Sequence, residues 1–163
     1  MKSKKIFIGE FIGSCFLVMI IVGSGIMAQN LTDDIAVMLI ANTLATGAGL
    51  FVLITSIGDI SGAHFNPVVT LAMYFTNKIK KNLIITYISA QILGCMLGVM
   101  LANFMFDLPL LQLSQKIRPG INIFTAEIIA TFGLIFVIFG SLKSGKLVVL
   151  SLIHISEPTR RST

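Results

Sequence analysis

Four apolar runs, each about twenty residues long, decide most of what this chain can be, because a run of that length is what a helix needs to cross a bilayer. They are Ile6 to Ala28, Ile35 to Ile57, Leu83 to Phe106 and Ile121 to Leu142, and a fifth begins at Leu147 without being completed. Only 12% of the residues are charged, about half the share of an ordinary soluble domain, and the mean hydropathy is +0.95. A water-soluble fold is therefore not expected, and an all-α membrane protein is. The first run is too long and too rich in glycine for a cleaved signal peptide. It also lacks a small-residue cleavage site followed by a polar region.

The net charge of +5 is a matter of topology. Lys2, Lys4 and Lys5 precede the first run, Lys78, Lys80 and Lys81 precede the third, and Lys143 and Lys146 follow the fourth. With alternating spans these eight fall on one side, against Lys116 and Arg118 on the other, where Asp33 and Asp34 also lie. The excess of basic residues puts the N-terminus in the cytoplasm of a multi-pass cell-membrane protein. A nucleic-acid partner would need a soluble basic face, and none is present. Cys15 and Cys95 both sit inside apolar runs, so neither a disulfide framework nor metal spacing follows from them. Neither a metal nor any other cofactor is expected.

Residues 150 to 163, LSLIHISEPTRRST, break the pattern. Their first eleven residues resemble the translation of an adapter oligonucleotide used in sequencing libraries. The segment is set aside as a non-native tail, so that His154, Glu157, Arg160 and Arg161 carry no function.

The chain repeats itself. GEFIGSCFLVMIIVGS, Gly9 to Ser24, aligns with AEIIATFGLIFVIFGS, Ala126 to Ser141. Glu10 falls on Glu127, Ser14 on Thr131, and the pair Gly23-Ser24 on Gly140-Ser141. Three spans separate the two starts, so the second copy enters from the opposite side. That is an inverted-topology repeat, an architecture of membrane transport. The first repeat is complete and the second is cut short, because the counterpart of Asn66 would fall at about position 183.

Between the second and third runs stands ISGAHFNPVVTLAMYF, Ile60 to Phe75, polar and helix-breaking at its start yet flanked by membrane on both sides. Pro67 suits a first helical position and Asn66 before it an N-cap. A helix from Pro67 to about Asn77 reaches only about 15 Å, too short to cross. Non-helical backbone at that depth persists only where it is packed in protein or lines a wet cavity. A re-entrant half-helix with its positive end near mid-membrane meets the condition.

SGAHFNP, Ser61 to Pro67, followed by Val69-Thr70, resembles the first signature of the aquaporin and glycerol-facilitator family. Glu10, Ala90-Gln91, and Glu127 with Thr131-Phe132 fit the same family, over Met1 to about Val149. The resemblance implies six spans and two half-helices, a homotetramer when full length, and one pore per subunit that passes water or small uncharged solutes across the bilayer. Asn66 would be the first of two capping asparagines at the pore centre. Carbonyls of Gly62, Ala63, His64 and Phe65 would form a ladder for the permeant, and His64 would help hold the loop. Glu10 and Glu127, with Gln91, would brace the two re-entrant loops.

Plainer roles suit other residues. His64 reads as a structural hydrogen-bonder, since no second His or Cys lies near it in sequence. Gly47, Gly49, Gly94 and Gly98 read as close-packing positions between helices. Met73, Met96, Met100 and Met105 read as fillers, and Asp59 as the end of the second span.

Two departures bear on the solute. The family's third signature residue is alanine, and here it is Val68, which reshapes the pore at the first turn of the half-helix. Twenty residues before Asn66 stands Thr46, where family water channels carry an aromatic side chain in the outer filter. A smaller residue widens that constriction. GSGIMAQNLTDD with ANTLATGAGL resembles bacterial members associated with arsenic resistance, so glycerol-like polyols and neutral metalloid acids join water as candidate solutes. The function expected is a passive channel. The alternatives are a secondary active transporter built on inverted repeats, a membrane enzyme, for which only His64 and Asp59 are on offer, and a non-functional fragment of a channel.

Overall fold

The computed structural model describes residues 2–112 and 120–144. The expected tail and the start of a fifth run lie outside the described residues. The chain divides into two compact units, Met1–Lys116 and Ile117–Thr163, and every described element is helical.

In the first unit, α1 spans Lys2–Leu31, about 45 Å at 1.5 Å per residue. That exceeds the roughly 30 Å hydrocarbon core, so its lysine-bearing first turn has length to reach water. Helix α2, Ile35–Ser61, starts where Asp34 caps it, the carboxylate accepting from the amides of Ala36 at 2.8 Å and Val37 at 3.3 Å. It runs through Asp59 and ends instead at Gly62, whose φ of 96° is a left-handed conformation that glycine adopts without penalty. The Gly62 amide closes the last turn on the Gly58 carbonyl at 2.8 Å.

Helix α3, Pro67–Phe75, is nine residues long, about 14 Å. It stops at Thr76, and Asn77 takes a positive φ of 58° that turns the chain. A single 3-10 turn, Lys81–Leu83, leads into α4, Ile84–Met105. Beyond α4, Asn103 Nδ2 donates to the carbonyls of Pro109 and Leu110. The second unit contributes α5, Ile121–Ser144. Four helical segments, Lys2–Leu31, Ile35–Ser61, Lys81–Met105 and Ile121–Gly140, are long and apolar enough to cross a membrane.

Helix α1 is the centre of the first unit, and small residues let its neighbours approach. On one side a Cβ at Gly94 or Gly98 of α4 would overlap the backbone of Phe11 or Cys15. On another, Gly9 sits under Ser61 and Gly13 under the ring of Phe65. Such contacts are how helices gain packing energy where lipid removes the hydrophobic incentive. Gly49 packs on Ile20, but Gly47 has nothing within 4 Å. The packing role expected of Gly47 is therefore corrected: its helix face is open. Leu53, Ile57 and Phe65 form the apolar core, flanked by Leu17, Ile20, Leu50 and Ile54. Met73 is buried in the unit, whereas Met96 and Met105 are exposed.

Candidate functional site

Among the described residues, a fully buried carboxyl group lies beside a loop with two positive-φ non-glycine residues. Glu10 has 0% exposure and stands about 12 Å along α1 from Lys2. Its Oε1 accepts from Ser61 Oγ at 2.6 Å and from the His64 amide at 3.0 Å. Its Oε2 accepts from the Phe65 amide at 2.9 Å and from Gln91 Nε2 at 2.8 Å. A carboxylate has about four lone-pair sites, and here four donors occupy them. A buried carboxylate persists only when it is bonded in this way. Snorkelling to the surface is thus not how Glu10 is accommodated.

The loop this carboxylate holds, Gly62 to Asn66, is strained. Ala63 and Phe65 have φ of 49° and 47°, values that side-chain-bearing residues seldom adopt. Each such residue costs on the order of 1–3 kcal/mol and survives only where its surroundings over-determine it. Three further bonds do so. Ser61 Oγ also accepts from the Ala63 amide at 3.1 Å. His64 Nδ1 pairs with Thr70 Oγ1 at 3.1 Å, and Tyr87 donates its hydroxyl to the Ser61 carbonyl. The rings of His64 and Tyr87 stack with centroids 4.3 Å apart.

Thr70 Oγ1 is a second junction, accepting from Gln91 Nε2 at 3.1 Å and donating to the Asn66 carbonyl at 3.2 Å. Gln91 therefore touches both the clamp and the half-helix. At the head of α3, Asn66 Oδ1 accepts from the amides of Val68 at 2.7 Å and Val69 at 3.4 Å.

What remains unpaired defines the site. Among the described residues, no donor reaches the carbonyls of Gly62, Ala63, His64 or Phe65, and no acceptor takes the hydrogens of Asn66 Nδ2. Asn66 is partly exposed and Val68 is 45% exposed, while His64 and Phe65 are buried. These four carbonyls and the Asn66 side-chain amide thus stand, in sequence, just before the positive end of a short helix.

The residues singled out from sequence therefore divide. Glu10, His64, Phe65, Asn66 and Gln91 come together in one network, with Gly62, Ala63, Pro67 and Val68 on the same loop and helix start. Thr46 is not among them, lying about 22 Å along α2 from Ser61. Its hydroxyl donates to Asn42 Oδ1 at 3.4 Å, and Asn42 Nδ2 donates to the Ile21 carbonyl at 3.0 Å. Glu127 lies on α5 in the second unit, where its side chain is exposed. Tyr87, Thr70 and Ser61 were given no bracing role from sequence. Helical spacing offered a signal for the first two, since Tyr87 stands four residues before Gln91 and Thr70 four after Asn66. Among the described residues no group of three or more His, Cys, Asp or Glu side chains could hold a metal.

The family model described as Major intrinsic protein matches residues 1–155. Aquaglyceroporin AqpS of Rhizobium meliloti (strain 1021) is 44% identical over 136 residues, covering 83% of this chain and 58% of that protein. Aquaporin NIP3-1 of Arabidopsis thaliana is 36% identical over 140 residues, or 80% and 43% of the two lengths. Aquaporin-4 of Notomys alexis is 32% identical over 141 residues, or 83% and 43%. The chain thus spans about half the length of these curated relatives.

Proposed function

The chain belongs to the major intrinsic protein family, and from that premise we propose that it supplies the first half of a passive transmembrane channel for water and small uncharged solutes. The observation that carries this reading is the Glu10 clamp. One carboxylate takes up the inward amides of a strained loop and leaves four successive carbonyls and the Asn66 amide free.

In this reading the free carbonyls replace the hydrogen bonds a solute gives up on leaving water. Asn66 Nδ2 donates to the solute's oxygen at the head of α3. The positive end of that helix disfavours cations there without binding anything tightly. Val68 stands beside Asn66 and sets the width, and Thr46 sets it again farther along α2. The small Thr46 and the resemblance to a protein called an aquaglyceroporin extend the solutes to glycerol-like polyols and neutral metalloid acids. The complete protein would add a second half-helix bearing its own Asn-Pro pair, with Glu127 bracing that loop as Glu10 braces the first. It would assemble as a homotetramer in the cell membrane with its N-terminus in the cytoplasm.

Active transport is the poorer reading, because coupling needs an ionisable group that changes partner. Glu10, the buried carboxylate of the first unit, has all its acceptor positions occupied. Covalent catalysis is not part of the reading either. The test is osmotic swelling of vesicles holding the full natural protein. Water and glycerol flux should persist with no proton or sodium gradient, and flux that vanishes with the gradient would overturn the proposal.

A further inference from the structure

Six lysines, Lys2, Lys4, Lys5, Lys78, Lys80 and Lys81, are half of the chain's 12 basic residues, and the fold gathers them at one end of the first unit. Helices α1 and α4 both start there, and Ser3 Oγ lies 3.3 Å from Thr86 Oγ1, tying the first turn of one to the first turn of the other. The link carrying Lys78 to Lys81 is itself held, because the amides of Lys78 and Ile79 both bond to the Met73 carbonyl and that of Leu83 to Lys80.

All six lysines are exposed. Among the described residues none of them forms an ion pair. Glu10, the nearest carboxylate along α1, is buried and fully bonded, and the exposed Asp59, two residues before the Ser61 that packs on Gly9, is a single carboxylate on the same half of the unit against these six lysines. The opposite end of the same unit carries Asp33, Asp34 and Asp107, so the unit is polarised, with positive charge concentrated where α1 and α4 begin.

Exposed apolar side chains lie directly beside these charges. Ile8 is four residues from Lys4 on α1 and 56% exposed, which places the pair on one helix face, and Ile85, 80% exposed, opens α4 directly after the turn that carries Lys81. A free phosphate would use only the ammonium groups. A molecule with an anionic head and an acyl tail would use both.

We propose that this end of the unit is a binding surface for anionic phospholipids. Lysine ammonium groups pair with headgroup phosphates, and chains lie along Ile8 and Ile85. Clusters of four to eight basic residues at a membrane boundary act in this way, each contributing through charge that salt screens. The surface does not depend on conduction, so its test stands apart from the channel reading.

The test is electron spin resonance of the chain reconstituted in phosphatidylcholine vesicles, comparing spin-labelled phosphatidylglycerol with spin-labelled phosphatidylcholine at the protein boundary. The unmodified chain should prefer phosphatidylglycerol by about fivefold or more, and high salt should remove the preference. K4Q/K5Q/K80Q/K81Q should bring it below about twofold, whereas arginine at the same four positions should keep it. Inorganic phosphate added to the buffer should leave the preference intact at matched ionic strength; if it abolishes the preference, the surface is a phosphate site and the lipid assignment fails. Equal association of the two lipids with the unmodified chain overturns the proposal, as does a preference that survives the glutamine variant. Should that variant not fold, the salt series on the unmodified chain decides: loss of preference supports the surface, and persistence overturns it.

Discussion

Gln91 and Glu10, 81 residues apart in sequence, are joined by a buried hydrogen bond of 2.8 Å from Nε2 to Oε2. This bond ties α4 to α1 at the depth where the re-entrant loop passes, and the loop amides of His64 and Phe65 complete the same carboxylate.

Glu10→Gln keeps the size but replaces an acceptor oxygen with a donor that faces donors. It should lower stability by about 3 kcal/mol and abolish solute flux in the complete protein. Gln91→Leu leaves three of the four donors in place and should cost about 1–2 kcal/mol. Thermal unfolding in detergent, followed by circular dichroism, ranks the two. An equal cost for both variants would show that the carboxylate is not the hub.

Gly94→Leu drives a side chain into the Phe11 carbonyl across the α1–α4 contact. Overpacking of this kind costs about 1–3 kcal/mol, and the overlap is with backbone, which cannot swing aside. Gly47→Leu meets open space and should leave stability within about 0.5 kcal/mol. The same melting experiment compares them.

Ser14 is fully buried in α1, and its hydroxyl has no protein partner among the described residues. Ser14→Ala should therefore be neutral or stabilising by up to about 1 kcal/mol, since it removes a buried polar atom that forms no bond. A loss of more than 1 kcal/mol on urea or thermal unfolding would mean that the hydroxyl is bonded in the membrane.

Val68→Ala removes two methyl groups from a 45% exposed position beside Asn66. Stability should change by less than about 0.5 kcal/mol, while glycerol flux through the complete protein rises relative to water flux. Stopped-flow light scattering on vesicles measures both, and an unchanged ratio would remove Val68 from the width-setting residues.

Much of the site was legible because its signals are local. Asn66-Pro67 marks a helix start by capping chemistry alone, and the structure has that cap on the amides of Val68 and Val69. Span lengths followed from apolar runs, yet α2 continues four residues past Ile57 to Ser61, because its stop is the backbone conformation of Gly62 and not the charge of Asp59. The bracing by Tyr87 and Thr70 was hidden for another reason. Helical spacing put Tyr87 on the face of Gln91 and Thr70 one turn after Asn66, but it named no partner: Tyr87 acts on the Ser61 carbonyl, 26 residues away, and Thr70 on an imidazole across the turn of the loop. Gly47 and Gly94 are alike in sequence and differ only in whether a neighbouring backbone lies opposite.

The clamp also sets an order of events during synthesis. Glu10 leaves the ribosome early, but Tyr87 and Gln91, which close the network over the loop, arrive more than seventy residues later. Until α4 has inserted, the segment from Gly62 to Phe75 has Glu10 and Ser61 as partners but lacks Tyr87 and Gln91. A nascent chain halted before Tyr87 would leave that segment accessible to a water-soluble thiol reagent at an engineered cysteine, and one halted after Met105 would shield it.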